Sequence, residues 1–458
     1  MNKYSIIIPV LSVCLGTAHA QENPLQLSGE LMTDQRFLFQ EDNPWAWNEN
    51  RLTLDLDARI SSNSKFHSEV WLRNIGLPSI VSSSDLYNKD IVDPYNLEIR
   101  EAYVQVYGFL TKNLDVTIGR QRIAWGTADV INPTDNLNPY DMEDILDFGR
   151  HRGSDAISLQ YYFTNDFSLQ AVYVPFFQPA NLPAGIFAGA LFQDVSMEMP
   201  EGMVLDSYTD TILMPKFNLG ESATTGMRFK GFAGGIDFSL SYVWSRDGLP
   251  FNTRNEVTPV SLTGGVYHVE AQAQLSYERN HIIGADLATS IFGIGLWAEA
   301  AIILPDRDVV MSTSIPSPFS PDPIIVDSVI LEAEPYLKFV VGADYNFGDG
   351  SYLNLQYIHG FIHERGAEGL NDYFFLRYDK SFFNSKLTIS PVSGAFIVTD
   401  WGDIRQNYAI AYMPEISYQA TPNAKISLSP VFFDGKGSNL FAGMKDYDMF
   451  MFRLNYSF

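Results

Sequence analysis

"DMFMFRLNYSF", Asp448 to Phe458, sorts its side chains by parity. Phe450, Phe452, Leu454, Tyr456 and Phe458 share one face, and Met451, Arg453, Asn455 and Ser457 share the other. Alternation of this kind marks a strand with two different surroundings. An aromatic strand left at the edge of a soluble sheet would pair with other chains. The aromatic face therefore calls for an apolar neighbour, either a core or lipid.

The pattern repeats along the chain. Leu52, Leu54, Leu56, Ala58 and Ile60 oppose Thr53, Asp55, Asp57 and Arg59, and Ile236–Trp244 and Leu337–Phe347 alternate in the same way. Soluble sandwiches alternate too, so the connections decide. Short turns fall at Ser61–Ser64, Gly108–Asn113, Thr164–Asp166, Phe232–Gly235, Gly348–Gly350, Phe382–Ser385 and Ala420–Asn423. Between them lie long stretches read as irregular, at 76–93, 126–154, 175–222, 248–270, 305–331, 360–371 and 434–447. Short and long connections taking turns predict an all-β, transmembrane, antiparallel up-and-down β-barrel with tight periplasmic turns and long outer loops. The aromatic last strand resembles the signal that outer-membrane barrels present to their insertion machinery, with Phe458 at its end. Counting gives about 18 strands, with 16 the alternative. Either is wide enough for an aqueous channel.

The first 20 residues read as a secretory signal. Lys3 gives the charged region, Tyr4–Gly16 the apolar one, and Ala18-His19-Ala20 the cleavage site before Gln21. A lipoprotein site at Cys14 is the rival, and Val13 is a poor residue ahead of it. Residues 21–458 then form a single barrel, with a constriction insert at 126–154 and an apolar loop at 175–222. Cleavage removes Cys14, the only cysteine, so no intrachain disulfide is available. The net charge of −24 argues against nucleic acid as a partner. It suits acidic loops beside outer-membrane lipid and lipopolysaccharide. Elsewhere no apolar run approaches the roughly 20 residues of a spanning helix.

One segment departs from simple alternation: "GRQRIAWGTADVINPTDNLNPYDMEDILD", Gly119 to Asp147. Paired with the strand before it, Ala102 is expected opposite Ile118, Val104 opposite Val116 and Val106 opposite Leu114. Continued alternation would send Glu98, Arg100, Arg120 and Arg122 into hydrocarbon, at about 2–4 kcal/mol per basic residue near mid-bilayer. Above that height Leu97, Ile99, Ile123 and Trp125 take the opposite parity. Both strands are therefore expected to switch phase together, with a bulge at Gly119 turning the four charges to the lumen. The rival, regular strands with charges at the rim, leaves an apolar belt of only about five residues where roughly ten are needed.

Asn132-Pro133-Thr134-Asp135 and Asn138-Pro139-Tyr140-Asp141 each read as a helix start, and the second predicts a short helix over 139–148. Asp141, Glu143, Asp144 and Asp147 would then face the wall arginines, with Arg150 and Arg152 on the return. Two arrangements fit: an inward constriction whose acids oppose the basic wall, or a surface loop with ordinary weak salt bridges.

The string Gly119-Arg120-Gln121, Trp125-Gly126, Asn132-Pro133-x-Asp135 resembles a motif of a widespread family of porin-like outer-membrane proteins. Some of these sit near exporters or degradation pathways for hydrophobic compounds. The resemblance covers Glu98 to Asp155. It implies barrel architecture and transport, and no catalytic residues.

Other chemistry is sparse. The apolar loop "PFFQPANLPAGIFAGALFQDVSMEMP" either dips into the lumen as a hydrophobic ligand site or lies on the membrane or a neighbour. His359 and His363 share a face, yet sit where a strand enters an outer loop, so they read as exposed histidines and no metal is assigned. Asp306/Asp308 and Asp400/Asp403 lack a recognisable calcium loop. No nucleophile elbow, phosphate loop or zinc motif occurs, and no cofactor is expected. The function predicted is a non-enzymatic outer-membrane channel for small solutes, hydrophobic ones included. The alternatives are a surface-binding protein, an exporter component or a barrel enzyme.

Overall fold

The computed structural model describes residues 24–39, 45–129, 131–147, 149–188, 202–218, 220–317 and 322–458. The signal segment lies outside them. One antiparallel sheet closes on itself, because Leu25–Leu38 pairs with Trp45–Ser61 on one side and Met449–Ser457 on the other. Of its nineteen segments, Tyr408–Tyr412 and Glu415–Thr421 share one crossing, so the wall has eighteen spanning strands. Pro414 separates that pair; proline has no N–H to give the ladder.

Alternation places the two faces as expected. Leu31, Ile118, Ile157, Leu240, Val341 and Tyr456 are exposed on the outside, where the strands meet lipid. Asp34, Arg36, Glu49 and Arg73 are buried on the inside. Among the described residues no helix is long and apolar enough to cross a membrane. The strands make the crossings.

Three long connections are not irregular. Met203–Leu213, Phe251–Thr263, Val266–Ser276, Val309–Ile315 and Ile324–Leu331 form a second, five-stranded sheet outside the barrel wall. It joins segments of three loops, with Phe251–Thr263 parallel to Val309–Ile315 and Val266–Ser276 parallel to Met203–Leu213. The stretches 175–222, 248–270 and 305–331 thus correct the expectation of unstructured loops. Gly264-Gly265 was the missed sign: both have positive φ, 62° and 86°, as a two-residue hairpin turn demands.

The register beside the charged stretch also differs. Val104 pairs with Ile118, Val106 with Val116 and Ala102 with Arg120, two residues from the expected pairing. Gly108 and Leu110 are both left-handed, and Phe109 N–H donates to the Leu114 carbonyl at 2.7 Å, so the turn consumes more chain. A shift of two leaves each side chain on its face.

The loops fold back into the barrel mouth and build a core there. Ile131, Met142 and Ile145 of the insert pack with Phe187, Phe361, Ile362, Leu440 and Met444. Val340, Ile358, Ile397 and Val431 of the wall close the cluster. The outer half of the lumen is therefore partly filled by apolar loop residues.

Candidate functional site

The phase switch occurs on one strand only. Glu69 pairs with Glu101, but Val70 pairs with Ile99, so Arg100 is the extra residue of a bulge. Glu98 and Arg100 thereby face inward while Leu97 and Ile99 are exposed. The next strand, Leu114–Gln121, holds a regular ladder with Ser154–Tyr162 through Gly119. No register shift occurs at Gly119, although its φ is +126°. Arg120 keeps the parity of exposed Ile118 and pairs with Asp155, on the parity of Ile157, at 3.2 Å. It is the one charge of the four that the lumen does not receive. Arg122 turns inward because the chain leaves the wall after Gln121.

Beyond Gln121 the insert crosses the lumen. Its carboxylates do not form a field across a gap; they touch the wall. Asp144 pairs with Arg36, a residue with no solvent exposure. Glu143 lies 2.5 Å from Arg73. Asp141 accepts from Arg100 at 2.8 Å, and the other arm of Arg100 donates to the His151 carbonyl at 2.8 Å. Asp135 pairs with Arg122. Arg150, within the insert, reaches Asp141 at 3.1 Å and Asp147 at 3.2 Å. Arg152 donates to the Pro179 carbonyl at 2.6 Å, and Asp147 remains exposed.

Behind these pairs stand two tryptophans. Trp71 carries the guanidiniums of Arg51 and Arg100, each 4.1 Å from its ring centre, and Trp47 carries Arg36 at 4.9 Å. The flat guanidinium suits both the ring and the carboxylate. Burial opposes ionisation of Asp141, but Arg150 and Arg100 outweigh it and hold its carboxyl at about 2. Burial likewise opposes Asp144, and Arg36 holds it at about 2.

The far wall holds the insert differently. Glu299, buried on strand Ile294–Pro305, sits nine strands around the eighteen-strand wall from Trp45–Ser61, across the diameter. It accepts from the backbone N–H of Thr127 at 2.9 Å, Ala128 at 3.2 Å and Thr134 at 2.8 Å, and from the Thr134 hydroxyl at 2.8 Å. Gly126, at φ +99°, lets the chain pass there; a Cβ would collide with the Glu299 carboxylate. Asn354 adds a 2.8 Å bond to Asp129.

The expected helix over 139–148 is absent from the described residues. Tyr140 and Asp141 make isolated bridges with His151 and Asn181. Asn138 caps nothing: it accepts from Ile123 N–H at 2.7 Å and donates to the Gln121 carbonyl at 3.1 Å. Carboxylates drawn to arginines on several strands hold the backbone in bends and a turn rather than a helix.

The insert leaves space on both sides. A cavity of about 420 Å³ runs between Asp129 and Asp147 of the insert and Asn354, Gln356 and Arg377 of the wall. Another, of about 230 Å³, lies against Asp115, Thr117, Gln160 and Arg228. The apolar loop rests on the insert as far as it is described: Asn181 N–H donates to the Tyr140 carbonyl at 3.0 Å, and Phe187 is buried. Its residues 189–201 lie outside the described set. His363 is half-buried, not exposed as expected, because 360–371 also folds inward; loss of hydration lowers it to about 4. His359 pairs with Asp372 at 2.8 Å. Among the described residues no cluster has metal-ligand character.

Sequence reasoning missed Arg36, Arg73, Glu299 and Asn354. Each sits on the polar parity of a predicted strand, and that was the only available signal.

A closed strand barrel with an apolar exterior and a charged, loop-spanned interior is a porin-like outer-membrane β-barrel. Within that class, the chain belongs to the family described as "Protein of unknown function (DUF1302)", whose model matches residues 82–365, more than half its length. Among solved structures, Pseudomonas aeruginosa OccD3 (OpdP) is 10% identical with a TM-score of 0.48, over 95% of this chain and 90% of that one. P. aeruginosa OccK11 (OpdR) is 10% identical with a TM-score of 0.48, over 94% and 95%. In-vitro folded OmpT, an outer membrane protein of Vibrio cholerae, is 10% identical with a TM-score of 0.41, over 96% and 100%. No curated protein matches in sequence.

Proposed function

We propose that the protein is a non-enzymatic channel that lets small solutes pass passively through the outer membrane. The insert 126–154 is its constriction. The observation that carries this reading is the pair of spaces, one mixed and one polar, flanking a bridge pinned at both ends. The wider space, beside Asp129, Asp147 and Asn354, is the main route. Arg100, Arg122, Asp141, Glu143, Asp144, Arg150 and Arg152 act by holding the bridge in place, and Glu98 shares Arg73 with Glu143. Export through a signal cleaved after Ala20, insertion through the strand ending at Phe458, and contact with lipopolysaccharide complete the proposal. Purified protein in a planar bilayer should give discrete conductance steps. A sealed bilayer at saturating protein would remove the channel reading.

A second reading, surface binding, draws on the outer sheet. Its edge strand Ile324–Leu331 exposes Ile324, Ile325, Val326 and Val329, an unprotected edge of the kind that pairs with other strands. Deleting that hairpin separates the two readings: conductance should persist while any surface binding is lost.

A further inference from the structure

A third cavity, of about 100 Å³, lies under the loops between Leu137–Tyr140 of the insert and the wall at Lys338. One lysine dominates its polar lining. Lys338, inward on strand Tyr336–Asn346, runs its stem past Gly360, where a Cβ would come within 2.8 Å of Lys338 Cγ. Its ammonium donates to the Phe361 carbonyl at 2.5 Å, which uses one of three N–H donors.

No neighbouring carboxylate is left for it. Glu364 is taken up by Phe361 N–H at 2.7 Å, both nitrogens of Asn371 and the Tyr373 hydroxyl at 2.6 Å. Asp247 is held by both arms of Arg365. The hydroxyls of Tyr140 and Tyr336 also line the cavity, and neither has a protein partner among the described residues. Leu137, Ile282 and Ile303 supply apolar wall. A buried ammonium without an anion is costly.

We propose that this cavity binds a small apolar monocarboxylate, with its head on Lys338 and the two tyrosine hydroxyls and its short body against Leu137, Ile282 and Ile303. A cavity of about 150 Å³ holds benzene, so the space selects a short chain over a fatty acyl tail. The site would give the channel a retention point for organic acids. It rests on the channel reading for that role only, because binding itself needs no transport.

The test is methyl saturation-transfer NMR on the full chain in detergent, titrating butyrate against its neutral counterpart butyramide. Butyrate should bind saturably and butyramide about tenfold more weakly, the scale of one charge-assisted hydrogen bond. Lys338→Met should weaken butyrate by a similar factor while keeping the heat-modifiable gel mobility of a folded barrel. Equal binding of acid and amide, unsaturable butyrate, or a folded Lys338→Met with unchanged affinity would each overturn the proposal. If Lys338→Met does not fold, the ratio of acid to amide on the unaltered protein decides. A barrel sealed in bilayers that still binds butyrate would sink the channel reading and leave this one standing.

Discussion

One insert is held at two walls by opposite means. On the side of Arg36, Arg73 and Arg100, the main bonds pair a wall arginine with an insert carboxylate. On the side of Glu299, one wall charge collects neutral donors, most of them backbone N–H groups. The first wall reads side chains and is sensitive to anything that alters charge. The second reads backbone shape and depends only on the wall carboxylate staying in place. Protonation weakens both walls, because each depends on ionised carboxylates: Asp141, Glu143 and Asp144 on one side and Glu299 on the other. The geometry therefore makes Glu299 a single-residue anchor, while the arginine end spreads its hold over several pairs.

The largest effect should come from breaking the charged wall at its most buried point. Arg36→Ala strands Asp144 in a dry site, a loss of about 3–5 kcal/mol. Asp34, its other partner, retains Arg453 at 2.5 Å. Denaturant unfolding should shift accordingly, and single-channel conductance should rise as the insert comes away. Unchanged conductance with lowered stability would show that the insert does not restrict the route.

Acid probes the same wall without mutation. Asp141 and Asp144 lie at about 2 in the folded protein, below their ordinary value of 3.8. Protons therefore bind the released insert more readily than the docked one. Their contribution is complete above about pH 4 and is lost as the pH falls toward 2. Conductance recorded at stepped pH should begin to rise as Glu143, raised by burial, takes up its proton, and rise further as the pH falls toward 2. A rise already complete at pH 6 would point to another group.

Glu299→Gln tests the anchor. The amide keeps one acceptor oxygen and turns an NH2 toward donors, so about 1–3 kcal/mol should be lost. The loss should shrink as acid protonates Glu299 in the unaltered protein, because a neutral carboxyl resembles the amide. A double variant, Arg36→Ala with Glu299→Gln, should free the insert at both ends and exceed either single change in conductance.

The two walls were unequally legible in the sequence. Alternation fixed the faces, and the alternation of short and long connections fixed the barrel, because lipid and water impose one parity over many strands. The arginine end was partly visible, since Arg100 and Arg122 conflict with the lipid parity around them. Glu299 was invisible: "LWAEAAIIL" keeps its acid on the lumen parity, where a carboxylate raises no conflict. The helix over 139–148 failed for a related reason. Asn-Pro-x-Asp is a local signal, and Asn138 and Asp141 found non-local partners in the wall strands and Arg100. The outer sheet failed because its strands join three distant loops, a pairing no window of sequence contains.

Arg120 and Arg122 sharpen the comparison at its small end. They sit two residues apart and look equivalent in sequence, yet they belong to different environments. Arg122 is bonded to Asp135 and, at 3.2 Å, to Asn138, so Arg122→Ala should loosen the start of the insert and raise conductance. Arg120 is about a third exposed, and its partner Asp155 nearly half. Such a pair contributes ~0–1 kcal/mol, and it stands on the parity of Ile118, outside the lumen. Arg120→Ala should leave conductance, ion selectivity and its pH profile unchanged within error. A change in selectivity on replacing Arg120 alone would mean that its side chain reaches the ion route, and the single-strand phase switch at Arg100 would have to extend to both strands.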